Sequence, residues 1–265
     1  MRPIDELLLN DRRRISCVLT DIDDTLTTEG KLTSDAYAAL EALHDAGFRV
    51  IPITGRPAGW CDHIARMWPV DAVVGENGAF YFRYDEEKRT LVKRFLHSPE
   101  DRADERRRLD KLRVEILKTI PGTAVASDQA YREADLAIDF CEDVNPLPWS
   151  EVERTVSMFE AIGATAKVSS IHVNGWFGTY DKLSMTRIML DECFGVDLDQ
   201  ARDQILFVGD SPNDAPMFKF FPHAVGVANL AQFADRLDAY PAYITHAPAG
   251  AGFAEVAKLL IAARA

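Results

Sequence analysis

The sequence has few cysteines and no long apolar run. Its four cysteines are scattered without a CxxC pair or a zinc-ligand spacing, which predicts free thiols in a reducing compartment rather than disulfides or a zinc site. No stretch approaches the roughly 20 apolar residues of a membrane helix. Residues 1–14 have no sustained apolar core, so we expect no signal peptide. These features predict a cytoplasmic protein.

Positive charge is also scarce. The chain has 30 Lys and Arg residues against 42 Asp and Glu residues, a formal net charge of −12 at pH 7. Such an excess of acid argues against a general nucleic-acid or anionic-membrane surface. We therefore expect a small-molecule partner, no nucleic acid and no membrane, and an anionic substrate would need a local site. The sequence does not indicate an oligomeric state.

The most informative stretch is a strand that ends in carboxylates. Residues 15–19 form an apolar run typical of a short buried strand, and Asp21, Asp23 and Asp24 follow it. Clustered like charges repel and are costly to desolvate, so a buried strand has no structural use for them. Ligands of open α/β sheets bind at the carboxyl ends of the strands. The pattern indicates a cation or phosphoryl site, with a polar turn containing an Asx motif as the alternative.

Three later segments join a strand or a helix to polar residues suited to chemistry. In chain order they are Thr54-Gly55-Arg56 after a strand over 50–53, Lys182 before a helix over 183–194, and Gly209-Asp210-Ser211-Pro212-Asn213-Asp214 after a strand over 205–208. Together with Asp21-Ile22-Asp23-Asp24-Thr25, they resemble the four motifs of the haloacid dehalogenase superfamily of phosphotransferases. The long gap between the second and third motifs resembles the type IIB, sucrose-phosphatase-like branch.

The alternation of strands and helices predicts an α/β fold with a doubly wound parallel sheet. The pattern changes after a strand near residue 80, where antiparallel strands and a long charged helix are expected. We therefore predict a Rossmann-like core over residues 1–84 and 178–265, with an inserted α+β cap over 85–177. Inserted domains need closely spaced ends on the host, and both junctions here flank candidate site residues.

The resemblance implies a phosphatase that forms an aspartyl-phosphate. Asp21 matches the nucleophile of that family, and Asp23 matches the group that protonates the leaving oxygen and then activates water. We expect Thr54 to offer its hydroxyl and backbone N–H to the phosphoryl oxygens. Lys182 supplies a compact positive charge to the nucleophile and the phosphate.

An anionic substrate and an anionic nucleophile need a hard cation between them, which predicts Mg²⁺. By resemblance, Asp21 and Asp210 bind it through their carboxylates and Asp23 through its backbone carbonyl. Asp214 binds it directly or through water. The alternative for Asp214 is a charge in the first turn of a helix, where the macrodipole stabilises it.

Further residues are candidate substrate contacts: Gly55, Arg56, Asn77 and Asn213 in the core, and His172, Asn174 and Trp176 in the cap. Asn213 is assigned by resemblance, and Gly55 by the close approach that it allows. Structural capping is the alternative for Arg56 and Asn77. The alternative for the cap residues is a hinge with core packing, which the glycines at 175 and 178 favour.

The function predicted from these features is Mg²⁺-dependent hydrolysis of a small phosphate ester, with a sugar phosphate as the favoured substrate. A phosphomutase of the phosphomannomutase kind is one alternative, although the fourth motif lacks the longer Gly-rich form expected there. A catalytically idle sensor or scaffold is another. The acid-base Asp23 argues against it, because binding alone does not require that group.

Overall fold

A six-stranded parallel sheet lies at the centre of the protein, seen in a computed structural model that describes residues 1–264. The strands of the chain are β1 (Arg2–Pro3), β2 (Cys17–Thr20), β3 (Thr27–Thr28), β4 (Lys31–Leu32), β5 (Arg49–Pro52), β6 (Val73–Gly75), β7 (Phe80–Asp85), β8 (Thr90–Phe95), β9 (Ala124–Val125), β10 (Leu136–Asp139), β11 (Thr165–Val168), β12 (His172–Trp176), β13 (Ile205–Gly209), β14 (His223–Gly226) and β15 (Tyr243–Ile244).

Helices connect these strands. They are α1 (Leu9–Arg14), α2 (Ser34–Asp45), α3 (Ala58–Met67), α4 (Pro99–Thr119), α5 (Trp149–Ala161), α6 (Lys182–Phe194), α7 (Leu198–Ala201), α8 (Ala215–Phe220) and α9 (Ala249–Ala262). Within residues 1–264, no helix combines the length and the apolar character needed to cross a membrane.

The central sheet has the order β1-β15-β14-β13-β2-β5, and its pairings are parallel. Side chains of β2 alternate between two apolar cores, with Val18 in one and Leu19 in the other. Helices cover both faces, which is why the strands are apolar runs rather than alternating patterns. The predicted doubly wound α/β fold is confirmed.

The register of the sheet brings the motif strands to one edge. Thr20 lies opposite Val208 of β13 on one side and Pro52 of β5 on the other. The residues that follow these strands therefore emerge side by side at the carboxyl edge. This alignment joins the first, second and fourth sequence motifs in space.

The first residues of the chain form one edge of the sheet. Arg2 and Pro3 pair with Tyr243 and Ile244 and take the edge position. A two-residue strand is too short to produce a period-two pattern, so sequence periodicity could not reveal it.

The cap is an α+β unit with its own core. Its sheet has the order β11-β12-β10-β9 with antiparallel pairing, and α4 and α5 pack on it through Leu112, Ile116 and Phe159. The β7–β8 hairpin pairs with β6 and places Phe80 and Phe82 in the core of the main domain. Sheet pairing thus groups residues 80–95 with the core, beyond the boundary at residue 84 expected from the sequence.

A buried carboxylate ties the cap to the core. Glu76 is fully buried, and its oxygens accept hydrogen bonds from the backbone N–H groups of three consecutive cap residues, Glu133, Ala134 and Asp135. Beside it, the buried Arg132 of the cap donates to the Gly55 carbonyl at 2.9 Å. These contacts place the cap over the carboxyl edge of the main sheet.

Candidate active site

Three carboxylates converge at the carboxyl edge of the sheet. Asp21 follows β2, Asp210 follows β13, and Asp214 ends a short 3₁₀ turn four residues later. Each offers an oxygen within 4.8 Å of the others, and all three side chains are buried. Like charges held this close without water need compensating positive charge.

Lys182 provides part of that compensation. Its fully buried Nζ donates to Asp21 Oδ1 and to Asp214 Oδ1, each at 2.7 Å. It is the first residue of α6, whose N-cap Asp181 accepts from the Ser184 N–H at 2.8 Å. A lysine at the positive end of a helix dipole is unfavourable, so the two ion pairs account for its position.

Burial dominates the electrostatics of this cluster. It raises the pKa of Asp21 to about 8, against the opposing effect of Lys182. Burial and the neighbouring Asp21 also raise the pKa of Asp210 well above its usual range. Burial alone would lower the pKa of Lys182, but the two aspartates raise it and keep the ammonium charged. Three carboxyl groups therefore share one buried ammonium, and burial disfavours their ionisation.

The two carboxylates of the fourth motif have different surroundings. Asp214 Oδ2 accepts from the backbone N–H of Asp210 at 3.0 Å and of Ser211 at 3.3 Å. A Cβ at Gly209 would lie 2.4 Å from that oxygen, so only glycine permits this approach. Asp210 receives longer hydrogen bonds, from Thr25 at 3.3 Å and Asn229 at 3.4 Å. The Asp210 carboxylate is therefore held by weaker hydrogen bonds than the Asp214 carboxylate.

In the second motif, Thr54 already makes hydrogen bonds to other protein groups. The Thr54 N–H, expected to contact phosphoryl oxygens, donates instead to the Val74 carbonyl at 2.9 Å. Its hydroxyl oxygen accepts from the Arg56 N–H at 3.0 Å, which leaves the O–H proton free to donate. The hydroxyl alone can serve the role predicted for Thr54.

Asn77 and Asn213 join this side of the site. Asn213 Nδ2 donates to Asn77 Oδ1 at 3.1 Å, and the buried Asn77 Nδ2 lacks a partner among the described residues. A Cβ at Gly55 would lie 3.2 Å from that Nδ2, so the glycine leaves space beside it. A buried amide donor without a partner is costly, and an anion beside Gly55 would satisfy it.

Arg56 binds other protein groups rather than remaining free for substrate. Its Nε donates to both oxygens of Asp23, at 2.8 and 3.0 Å. Its Nη2 lies 2.6 Å from Glu142 Oε1 and its Nη1 lies 3.2 Å from Asp128 Oδ2, both in the cap. The Trp60 ring covers the guanidinium at 4.4 Å. Arg56 thus links the predicted acid-base group to the cap.

The three cap residues predicted to contact substrate are buried in the structure. His172 Nε2 lies 2.9 Å from Glu142 Oε2, and Asn174 Nδ2 donates to Asp135 at 2.8 Å. Trp176 is 1% exposed, packs in the core of the main domain and stacks on Tyr180. These positions favour the packing alternative for Asn174 and Trp176, and a supporting contact for His172.

A cavity of about 510 Å³ opens beside Asp23. Most of its walls come from the loop after β2, the β3–β4 hairpin and the cap. The lining residues are Asp23, Asp24, Thr27, Glu29, Gly30, Lys31, Arg56, Cys141, Glu142, Asp143, Ser170, Ile171 and Gln232. Five of the lining residues are acidic. The cavity is therefore polar and negatively charged, and Asp23 lies on its wall.

Sequence reasoning missed several members of this site. Glu142 and Asp128 lie in the cap, and Asn229 lies beyond the fourth motif. Of these residues, only Glu142 could have been identified from the sequence, because it comes soon after the apolar strand β10, much as Asp21 comes after β2. The others have no local pattern that distinguishes them from ordinary loop residues.

The carboxylate cluster fits a hard divalent cation. Asp21, Asp210 and Asp214 present oxygen ligands, which Mg²⁺ prefers to nitrogen or sulfur. In the described part of the chain, the ion pairs to these three groups come from Lys182. Three carboxyl groups that share one ammonium fit a divalent cation in charge as well as in ligand type.

Comparisons with known proteins agree with this geometry. The sequence pattern of the haloacid dehalogenase-like hydrolase family matches residues 18–111. The phosphoglycolate phosphatase of Haloarcula marismortui is 27% identical over 247 residues, covering 90% of this chain and 94% of that protein.

Solved structures share the fold over almost the whole chain. The C-terminal domain of C. albicans trehalose-6-phosphate phosphatase superposes with a TM-score of 0.70 at 17% identity, covering 97% of this chain and 96% of that one. The Synechocystis sucrose-phosphatase, solved with sucrose and phosphate, gives 0.62 at 16% identity, covering 94% and 98%. The family match over residues 18–111 and the shared fold agree with the predicted resemblance to the haloacid dehalogenase superfamily.

Proposed function

We propose that this protein is a Mg²⁺-dependent phosphatase that hydrolyses a small sugar phosphate through an aspartyl-phosphate on Asp21. The main support is the buried arrangement of Asp21, Asp210 and Asp214 with Lys182, together with Asp23, which follows Asp21 by two residues and lines a cavity. A carboxylate nucleophile divides a very slow hydrolysis into two steps.

In the first step, a carboxylate oxygen of Asp21 attacks phosphorus while the bond to the leaving oxygen breaks. Asp23 gives its proton to that oxygen, and the alcohol departs into the cavity. In the second step, Asp23 takes a proton from water, whose oxygen attacks phosphorus. The bond to Asp21 then breaks and orthophosphate leaves. Lys182, the Thr54 hydroxyl and the Asn77 amide would hold the phosphoryl oxygens, and the unpartnered Asn77 amide and the free Thr54 O–H proton support this role.

A bound Mg²⁺ would neutralise charge between the nucleophile and the phosphate. Asp21 and Asp210 are the proposed carboxylate ligands, and the backbone carbonyl of Asp23 is a third ligand. Asp214 would bind the ion either directly or through a water molecule. Asp214 already accepts hydrogen bonds on both oxygens, which favours an indirect role. This chain's own cation, Lys182, remains paired with Asp21 and orients it.

Metal removal tests the cofactor. We expect exhaustive chelation to lower phosphatase activity to below about 1% of the starting value, because the uncompensated carboxylates would repel a phosphate dianion. Excess Mg²⁺ should restore it, and Ca²⁺ should support it poorly because its looser geometry misplaces the nucleophile. The measurement is hydrolysis of an aryl phosphate after dialysis against chelator, with chelator presaturated with Mg²⁺ as the control. Full activity of the metal-free protein would reject the proposed cofactor.

The choice of substrate rests on the charge of the cavity. The name of the H. marismortui relative makes phosphoglycolate a second candidate, and its leaving group carries a carboxylate. Arg56, the cavity's buried cation, already pairs with three carboxylates, and Asp24, Glu29 and Asp143 add further negative charge. Two like charges about 7 Å apart repel by about 2 kcal/mol at an effective dielectric constant near 20. A neutral sugar avoids this repulsion.

We therefore expect kcat/KM for the best neutral hexose or triose phosphate to exceed that for 2-phosphoglycolate by ~10-fold or more. The measurement is phosphate release across a panel of both kinds of ester. Asp143→Lys reverses the charge of an exposed residue on the cavity wall and should raise the relative rate on phosphoglycolate. A preference for phosphoglycolate over all neutral sugar phosphates would contradict the sugar assignment and leave the phosphatase assignment intact.

A further inference from the structure

The acid-base group is held from the cap as well as from the core. The Asp23 side chain is 14% exposed, and Arg56 contacts both of its oxygens. Arg56 is a long, flexible side chain whose planar fork orients a carboxylate only when the fork itself is fixed. What fixes Arg56 therefore also determines the position of Asp23.

Two of the carboxylates on Arg56 belong to the cap. Glu142 makes the shorter contact, 2.6 Å from Nη2, the same nitrogen that lies 2.7 Å from Asp23 Oδ1. Asp128 lies 3.2 Å from Nη1 and also pairs with the buried Arg132. Glu142 is thus the cap group closest to the Arg56–Asp23 contact.

Glu142 is itself rigidly placed. The buried Asp139, at the end of β10, accepts hydrogen bonds from the backbone N–H groups of Cys141, Glu142 and Asp143, which builds the turn. From the other side, His172 Nε2 lies 2.9 Å from Glu142 Oε2. Partial burial opposes ionisation of Glu142, but the neighbouring His172 and the Arg56 guanidinium lower its pKa to about 2, so it remains charged at neutral pH.

We propose that Glu142 of the cap is a positioning residue for Asp23, acting through Arg56. The inference rests on the proposed phosphatase function and adds to it a contribution of the cap to leaving-group protonation. Glu142 does not act on the phosphorus. It holds the Arg56 guanidinium in the orientation that directs Asp23 toward the leaving oxygen, and His172 supports Glu142 from behind.

The experiment uses the dependence on the leaving group. A sugar alkoxide needs a proton to depart, whereas a nitrophenolate does not, so misplacing Asp23 should slow only the first kind of ester. Glu142→Gln keeps the size of the side chain and removes its charge. We expect kcat/KM on the preferred sugar phosphate to fall by ~10-fold or more, while the value on 4-nitrophenyl phosphate stays within ~3-fold.

A matched control is available elsewhere in the cap. Glu105 also pairs with a histidine, at 2.9 Å from His97 Nδ1, and its side chain is 15% exposed, but it does not contact Arg56. Glu105→Gln should leave the ratio of the two rates unchanged, and a thermal melt of each variant confirms that the fold is retained. Glu142→Asp, which keeps the charge, should recover part of the lost rate on the sugar ester.

Three outcomes would overturn the proposal. They are an equal loss on both esters, no loss on either, or the same selective loss in Glu105→Gln. An equal loss on both esters would indicate that Glu142 has only a structural role in the cap. If the unmodified protein hydrolyses neither ester, the proposed function itself fails, a result distinct from any effect of the variant.

Discussion

Asp21→Asn is expected to lower kcat by at least ~10³-fold, an increase of about 4 kcal/mol in the barrier. The amide oxygen is a far poorer nucleophile than a carboxylate and a poorer ligand for a cation. Asparagine keeps the shape of the side chain and removes one of three crowded buried negative charges, while Lys182 retains Asp214. We therefore expect the fold to be retained.

The measurement is single-substrate hydrolysis of an aryl phosphate together with a thermal melt. Asp71→Asn is the matched control, because Asp71 accepts from the Val50 N–H at 2.8 Å and does not contact the three carboxylates. That variant should keep kcat within ~3-fold even if it loses some stability. Activity of Asp21→Asn within about tenfold of the unmodified protein would remove Asp21 from the role of nucleophile.

Lys182→Met should reduce both stability and activity. The ammonium is fully buried between Asp21 and Asp214, and its removal leaves two buried carboxylates without their partner. Breaking a buried ion pair in this way costs ~3–5 kcal/mol of the free energy of unfolding. The nucleophile would also lose its orienting contact and the phosphate its cation, so kcat should fall by ~10²-fold or more.

Urea unfolding at pH 7 measures the first effect and initial rates measure the second. Lys93→Met is the control, because Lys93 pairs with Asp62 at 2.8 Å but both side chains are substantially exposed. An exposed pair of this kind contributes only ~0–1 kcal/mol. If the two lysine variants lost similar stability, or if Lys182→Met kept kcat within ~3-fold, the buried pairing would not have the importance assigned to it here.

The prediction of the core rested on a physical rule that sequence can express. Apolar runs that end in carboxylates at residues 21 and 210 indicated parallel strands with a site at their carboxyl ends, and the register of β2 and β13 confirms that these ends meet. Lys182 was assigned because it opens the helix that follows the predicted insert, in the order of the resembled motifs. Carboxylates at the end of an apolar strand are detectable without coordinates, because they lack a local structural reason there.

The cap was predictable in class but not in its contacts. Its two helices and antiparallel strands follow from periodicity, whereas Asn174 and Trp176, which were expected to contact substrate, are buried among other protein groups. Polar and aromatic residues near a glycine-rich junction suit a binding surface and a buried interface equally well. Only the docking of the cap on the core decides between them, because that docking is a sum of contacts distant in sequence.

By itself, then, the sequence determined the α/β class, the carboxyl edge that bears the site, and the residue types gathered there, because strand burial and charge conflict act locally. Tertiary structure alone decided that the Thr54 N–H belongs to the sheet, that Arg56 pairs with Asp23 rather than remaining free, and that Glu142 reaches it from the cap. These are pairings over 20 to 86 residues of separation. Their energies depend on the burial and geometry produced by the assembled fold, which no local pattern encodes.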